Sequence, residues 1–168
     1  MTGKAKLFTL LVVGQVVFLL AWAGYHEAVR QHAPEVLLEA RPVDPRDLLR
    51  GDYMILSYPI GDLPAGAEGI KTGDEVWVLL ERRERHHVAV GASRREPAPG
   101  AGQLLVRGRV EQHWREGSTA RIVYGIERYY VPEGKGTPHF KTMEVEAAVS
   151  PAHRLYIKRL LLDGAAYP

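Results

Sequence analysis

The sequence contains no cysteine among its 168 residues. This absence excludes disulfide bonds, thiolate metal sites and a cysteine nucleophile, and it makes folding independent of the redox state of the compartment. The core must therefore be held together by packing alone.

The chain also carries little net charge. Lys and Arg total 22 against 20 for Asp and Glu, which leaves a formal charge of +2. A balance this small and evenly spread does not create the positive field that attracts polyanions. Nucleic acid is therefore not expected as a partner.

Arrangements that carry catalysis or metal binding are scarce. His86 and His87 are adjacent, so in a strand they would point to opposite faces and could not readily hold one ion, and the other histidines are scattered. No nucleophile elbow, Gly-rich phosphate loop or dinucleotide fingerprint occurs. The sequence predicts neither a metal site nor a cofactor.

A long apolar run near the N-terminus is the strongest signal that is present. Lys4 and Lys6 precede the stretch from Leu7 to Tyr25, which contains no charged residue. Its length is close to the roughly 20 residues that a helix needs to cross a bilayer. The run therefore predicts a transmembrane helix or a signal peptide, and we expect the bilayer to be the first partner of this chain.

The orientation of this segment follows from its flanks. The lysines lie at one end, whereas Trp22 and Tyr25 lie at the other, where aromatic side chains favour the headgroup layer. The positive-inside rule then places the N-terminus in the cytoplasm. We predict a single-pass protein of the cytoplasmic membrane, with the rest of the chain outside.

Two other interpretations of the segment are open. Ala21-Trp22-Ala23 satisfies the small-x-small rule for signal peptidase, so cleavage near Ala23 would leave a secreted or periplasmic protein. The apolar run is longer than a usual signal core of about 7 to 15 residues, which favours a retained anchor. A buried helix of a cytosolic protein is disfavoured because such helices normally carry a polar face.

Beyond this segment the pattern becomes that of a β-rich domain. A short helical extension from His26 to His32 should end before Pro34. Alternating apolar and polar residues from Glu75 to Val78 and from Met143 to Ala147 are typical of strands with one wet face. About eight segments rich in β-branched or aromatic residues and bounded by Gly, Pro or Asp are expected to be strands: 36–40, 53–58, 75–82, 87–92, 104–114, 119–131, 142–149 and 155–162.

These segments define the predicted organisation. Residues 1–32 form the anchor or signal peptide with its helical extension, and residues 33–168 form one β-rich domain. The fold class is mainly β, with a sandwich or a small barrel behind the N-terminal transmembrane helix.

A short helical turn is predicted before the second strand. Asp44 is a good N-cap, Pro45 suits the first helical position, and Gly51 supplies a left-handed stop. The turn would deliver Asp52 and Tyr53 to the start of the strand.

This strand carries a resemblance to a known family. The string GDYMILSY matches the pattern that gives the GDYXXLXY family its name, with Gly51, Asp52, Tyr53, Leu56 and Tyr58 at the named positions. DPRDLLR at 44–50 and YGIERYYVPEG at 124–134 also resemble family sequence. The resemblance implies a bacterial, membrane-associated protein of a family whose activity is not known, with a multi-span membrane protein as a partner.

The motifs supply candidate site residues. Candidate acids or bases are Asp52, Glu127 and Glu133, candidate anion clamps are Arg46, Arg50 and Arg128, and candidate stacking surfaces are Tyr53, Tyr58, Tyr129 and Tyr130. Aspartates in turns and tyrosines in strands are common for structural reasons as well. Both interpretations are open for each of these residues.

Two functions of different classes remain. The first is a non-enzymatic accessory or interaction module of a membrane protein system, which the lack of a catalytic constellation favours. The alternative is an enzyme or ligand-binding domain that acts on envelope glycan or lipid through Asp52, Glu127 and the motif tyrosines.

Overall fold

The computed structural model describes residues 3–43, 53–62, 70–111, 121–131 and 139–167. Its contacts divide the chain into two compact units, residues 1–33 and residues 34–168. The first unit is helical and the second is built from strands. The predicted helical turn at 44–51 lies outside the described residues.

The first unit consists of helix α1, Gly3–Gln31. Its segment Gly3–Tyr25 has 23 residues and a mean hydropathy of 2.2, and none of its most apolar part is buried. At about 1.5 Å per residue, this segment is roughly 35 Å long, somewhat more than the hydrocarbon core of a bilayer. By length and composition α1 could therefore cross a membrane, as anchors and signal sequences both can.

The described part of the second unit contains eleven strands. They are β1 (Glu35–Glu39), β2 (Arg41–Pro42), β3 (Tyr53–Ser57), β4 (Glu75–Arg83), β5 (His86–Ser93), β6 (Gln103–Glu111), β7 (Arg121–Val123), β8 (Arg128–Tyr130), β9 (Met143–Val149), β10 (Leu155–Leu162) and β11 (Ala165–Tyr167). A 3-10 helix covers Pro59–Gly61. The mainly β fold class behind an apolar N-terminal helix is thus confirmed, with a half-barrel arrangement.

The strands form three antiparallel sheets. The first has the order β1-β9-β10-β11, the second β2-β3-β8, and the third β5-β4-β6-β7. Strands β9 and β10 are the inner strands of the first sheet, and β4 and β6 are the inner strands of the third. The small second sheet carries the GDYMILSY strand.

Alternation along the strands builds the core. In β4, Val76, Val78 and Leu80 are buried, whereas the residues between them are partly exposed. Each fully buried Val or Leu side chain contributes about 1.5–3 kcal/mol relative to exposure. Apolar residues of all three sheets join one cluster, so a shared hydrophobic core unites the domain.

The segment predicted as one strand from 119 to 131 is interrupted. β7 ends at Val123 and β8 begins at Arg128, because Gly125 adopts a left-handed φ of +82° that turns the chain between them. The short strands β2 and β11 are not among the predicted strands. Both have three residues or fewer, too short for an alternating pattern to be recognised.

Glu144 on β9 departs from the alternation expected there. The pattern from Met143 to Ala147 predicts a wet face for this residue, yet its side chain is buried. Its two carboxylate oxygens bind Arg85 Nη2 at 2.8 Å and His86 Nε2 at 2.7 Å. The tip of the β4–β5 hairpin is thereby attached to the first sheet by charge.

Removing this carboxylate should destabilise the domain. We expect Glu144→Ala to lower the free energy of unfolding by about 1–3 kcal/mol, because a buried, charged hydrogen-bond acceptor is lost. The expected loss is not larger, because Arg85 is mostly exposed and stays hydrated in the variant. Urea unfolding of the full chain in mild detergent measures this value. Glu146→Ala on the same strand is the matched control, since its pair with Arg159 is more exposed and should cost less than about 1 kcal/mol. Equal losses for the two variants would contradict the role of Glu144.

Candidate functional site

Strand β3 brings the two sequence motifs together. It pairs with β8 in antiparallel register, with Tyr53 opposite Tyr130 and Ile55 opposite Arg128. Beyond the ladder, the backbone N–H of Leu56 donates to the carbonyl oxygen of Glu127 at 2.7 Å. The GDYMILSY string and the YGIERYYVPEG string are therefore direct neighbours.

Alternation in β3 separates a buried face from an exposed one. Leu56 and Tyr58 are 1% and 3% exposed, whereas Ile55 is 44% exposed. Leu56 and Tyr58 therefore lie on the buried side, as the two-residue period of an extended chain requires.

Tyr58 forms a buried link between the motifs. Its hydroxyl donates to the carbonyl oxygen of Ile126 at 2.7 Å. Burial raises the pKa of Tyr58 well above its ordinary value, and the negative charge of Glu127 raises this pKa further. The side chain is held as a neutral hydrogen-bond donor that satisfies a buried backbone group.

Tyr124 forms a second link in the opposite direction. Its hydroxyl donates to the carbonyl oxygen of Ile60 at 2.6 Å, so each motif sends one tyrosine to the backbone of the other segment. Burial raises the pKa of Tyr124, and the charges of Glu127 and Asp62 raise it further. Tyr124 was not among the candidate site residues, although it is the first residue of the second motif.

Glu127 holds the turn between β7 and β8. Its Oε1 accepts the backbone N–H of Tyr124 at 2.6 Å, and its Oε2 accepts that of Gly125 at 2.8 Å. Both oxygens are thus engaged by the backbone, and the left-handed turn at Gly125 is fixed. A carboxylate in this position is part of the scaffold and is poorly placed to move a proton.

An open groove of about 570 Å³ lies beside these links. Its lining combines apolar side chains with two arginines and two glutamates. Arg121 Nη2 donates to the Ser57 hydroxyl across this lining. The lining residues are Val43, Ile55, Leu56, Ser57, Tyr58, Glu111, Arg121, Ile122, Val123, Gly125, Glu127 and Arg128.

Comparison with known proteins identifies the family. A family model described as "GDYXXLXY protein" matches residues 15–160. The chain belongs to the GDYXXLXY family. This family is a domain of unknown function. No curated protein and no solved structure matches the chain.

The candidate site residues of this GDYXXLXY protein differ in their placement. Leu56, Tyr58, Glu127 and Arg128 line the groove, and Tyr130 is 69% exposed on β8. Tyr53 is placed by its backbone on β3. Arg46, Arg50, Gly51, Asp52 and Glu133 lie outside the described residues.

Residues outside the GDYXXLXY string also contribute to the scaffold and to the groove. Tyr129 donates its hydroxyl to the carbonyl oxygen of Tyr167 at 3.0 Å, and burial raises its pKa, so this candidate also has a role in the scaffold. The groove residues Arg121 and Glu111 escaped the sequence analysis, because they lie outside both motifs. The described ranges contain no cluster of three or more His, Asp or Glu residues suited to a metal ion.

The role of Glu127 in the GDYXXLXY scaffold can be tested by Glu127→Gln. One backbone N–H would then face an amide NH2 group, so we expect the free energy of unfolding to fall by about 1–2 kcal/mol. Thermal and urea unfolding of the full chain in detergent measure this change. Glu111→Gln is the matched control, because it removes the same charge from the same groove at an exposed position and should stay within about 0.5 kcal/mol of the parent. A fully stable Glu127→Gln variant would contradict the structural role.

Proposed function

We propose that this GDYXXLXY protein is a membrane-tethered, non-enzymatic interaction module that docks on a multi-span membrane protein. The single observation that carries the proposal is that three polar side chains of the motifs form hydrogen bonds to the domain's own backbone. Tyr58, Tyr124 and Glu127 all bind backbone groups inside the domain. Among the motif residues that the structure describes, these three then specify a rigid scaffold and are not available as acid, base or nucleophile.

Helix α1 is the tether in this proposal. Lys4 and Lys6 favour a cytoplasmic N-terminus, and Trp22 and Tyr25 suit the opposite headgroup layer. The β-rich unit would then lie outside the cytoplasmic membrane. Protease added to intact spheroplasts should digest this unit while α1 stays in the membrane fraction, and a protected unit would contradict this orientation.

The groove is the proposed docking surface. Val43 and Ile55 expose apolar surface there at 54% and 44%, and Arg121 and Arg128 flank them. Exposed apolar side chains beside arginines are typical of the centres of protein interfaces. Loops of a multi-span membrane protein that emerge beside the tether would meet this groove at high effective concentration.

Crosslinking in the native membrane tests the proposal. The full chain, extracted in mild detergent after crosslinking, should recover the same multi-span membrane protein reproducibly. Ile55→Glu and Arg128→Glu should reduce that recovery by about tenfold, as expected for residues at an interface centre. Arg82→Glu makes the same charge change as Arg128→Glu at an exposed position of β4 outside the groove, and it should leave recovery unchanged. Repeated recovery of no membrane protein would overturn the proposal.

A second candidate function uses the same groove for a small ligand. Its volume falls within the roughly 300–1,000 Å³ range of ligand pockets, and its arginines could hold an anionic envelope lipid or glycan. Binding of purified envelope lipids and glycan fragments to the full chain, measured with the parent and with Arg128→Glu, tests this candidate. Turnover of such a compound would establish the enzyme alternative. If no compound binds at millimolar concentration, neither the ligand-binding function nor the enzymatic one holds.

A further inference from the structure

Helix α1 carries one side-chain amide close to the middle of its apolar segment. This residue, Gln15, lies within the run from Leu7 to Tyr25, in which the other residues are apolar or glycine except for Thr9. The Thr9 hydroxyl donates to the carbonyl oxygen of Ala5 at 3.0 Å, so it is satisfied within the helix. Within the part of the chain that the structure describes, the Gln15 carboxamide makes no hydrogen bond.

A carboxamide without a partner is costly in hydrocarbon. Its two N–H donors and its carbonyl oxygen cannot bind water at the centre of a bilayer. Polar side chains at such depths are instead satisfied by hydrogen bonds to neighbouring helices. If α1 spans the membrane, Gln15 therefore requires a polar group at its own depth.

The aromatic residues of α1 share a seam with Gln15. The spacing alternates between three and four residues, which is the a/d pattern of a left-handed helix pair. All the Phe, Trp and Tyr side chains of the helix belong to this seam, and Phe8 and Phe18 are 67% and 59% exposed. The seam consists of Phe8, Leu11, Gln15, Phe18, Trp22 and Tyr25.

We propose that two copies of this chain associate in parallel through the seam, with their Gln15 carboxamides hydrogen-bonded to each other inside the bilayer. This inference rests on the membrane insertion of α1 in the proposed function. Copies inserted in the same orientation place Gln15 at the same depth. A carboxamide is also self-complementary, because it has both a donor and an acceptor.

The position of Gln15 in the heptad supports a second copy of this chain as the helix that packs against the seam. A single amide at an a position is a recognised device for fixing the register and the number of helices in a bundle. A two-fold axis along the seam would bring each residue near its own counterpart, which is the geometry of an isologous dimer. A helix of another protein would need its own polar group at this depth.

The absence of cysteine makes the experiment direct. Leu11→Cys lies on the seam, and Val13→Cys lies about 200° round the helix at nearly the same depth. The full chain with either substitution is oxidised in its native membrane with a membrane-permeant oxidant. We expect a disulfide-linked dimer for Leu11→Cys and mainly monomer for Val13→Cys, because only seam positions bring the two backbones within disulfide reach.

A second pair of variants tests the amide. In the Leu11→Cys background, Gln15→Leu should lower the dimer yield by about threefold to tenfold, as expected for the loss of interhelical hydrogen bonds in a membrane. Thr9→Val is the matched control, because it removes a polar group that is satisfied inside its own helix. It should leave the yield unchanged.

The outcomes separate this inference from the proposed function. Equal crosslinking at the two positions overturns the dimer, and no effect of Gln15→Leu overturns the pairing of the two amides. Both results leave the tether in place. A Leu11→Cys adduct with a different membrane protein also overturns the dimer and favours the docking partner of the proposed function. Loss of α1 by cleavage in the recovered protein overturns both.

Discussion

Replacing Tyr58 with alanine is expected to lower the free energy of unfolding by about 3–5 kcal/mol, as for other aromatic residues removed from a core. Tyr58 is 3% exposed and donates a 2.7 Å hydrogen bond to Ile126, so the variant loses packing and leaves a buried carbonyl without its donor. Urea unfolding of the full chain in mild detergent gives the value. A loss this large would unfold many domains of ordinary stability.

One further variant separates the hydroxyl of Tyr58 from its ring, and another serves as a control at an exposed tyrosine. Tyr58→Phe keeps the ring and removes the hydroxyl, so a loss of about 1–2 kcal/mol is expected. Tyr130→Ala removes a tyrosine that is 69% exposed on the neighbouring strand and should change stability by no more than about 0.5 kcal/mol. If Tyr58→Ala and Tyr130→Ala were equally stable, the buried link would not hold the motifs together.

The ionisation of Tyr58 provides an independent check. Burial raises its pKa in the folded state above the unfolded value of about 10, so its contribution is complete below that pH and is lost as pH rises further. Tyr58→Phe should therefore reduce the loss of stability above about pH 10. Tyr124, whose pKa is raised in the same way, should account for part of the remaining loss.

Gly108→Ala is expected to destabilise the domain by about 1–3 kcal/mol through overpacking. A Cβ at this position of β6 would lie closer than van der Waals contact to Cγ2 of Ile122 and 3.1 Å from Cε1 of Tyr124. Both neighbours are buried, and Tyr124 is fixed by its hydrogen bond to Ile60. The glycine therefore provides space for the second tyrosine link.

Gly91→Ala on β5 is the control for this substitution. Its Cβ would meet only Cδ1 of Leu79, at an ordinary distance of 3.9 Å. Stability should remain within about 1 kcal/mol of the parent, because the smaller freedom of the unfolded chain offsets any small strain. Thermal unfolding of the two variants side by side gives the comparison, and equal melting temperatures would contradict the packing argument.

Regular patterns made much of the fold predictable from sequence. The run from Leu7 to Tyr25, which contains no charged residue, predicted the helix, and alternation in β4 predicted a strand with one buried face. The GDYMILSY string predicted the family, which the match over residues 15–160 confirms. These features are local, so a single stretch of residues is sufficient to indicate them.

The remaining features depend on particular side-chain contacts that hydrophobic alternation does not indicate. Glu144 was expected on a wet face because alternation does not reveal that Arg85 and His86 cover it from another sheet. The break between β7 and β8 depends on Gly125 and on the carboxylate of Glu127, which sequence analysis treated as a candidate acid or base. Partners on the distant β4–β5 hairpin decided the first case, and hydrogen bonds within residues 124–127 decided the second. Apolar alternation indicates neither kind of contact.

Amide hydrogen exchange in strand β9 reports on global unfolding of the domain. It lies between β1 and β10, and each of its residues except Glu146 is buried. Amide protons in such a strand exchange with deuterium only when the whole domain opens, whereas short edge strands such as β11 exchange through local fraying. A peptide spanning residues 143–149, followed by mass spectrometry, would therefore rank the stability of every variant directly in native membranes, without purification or denaturant.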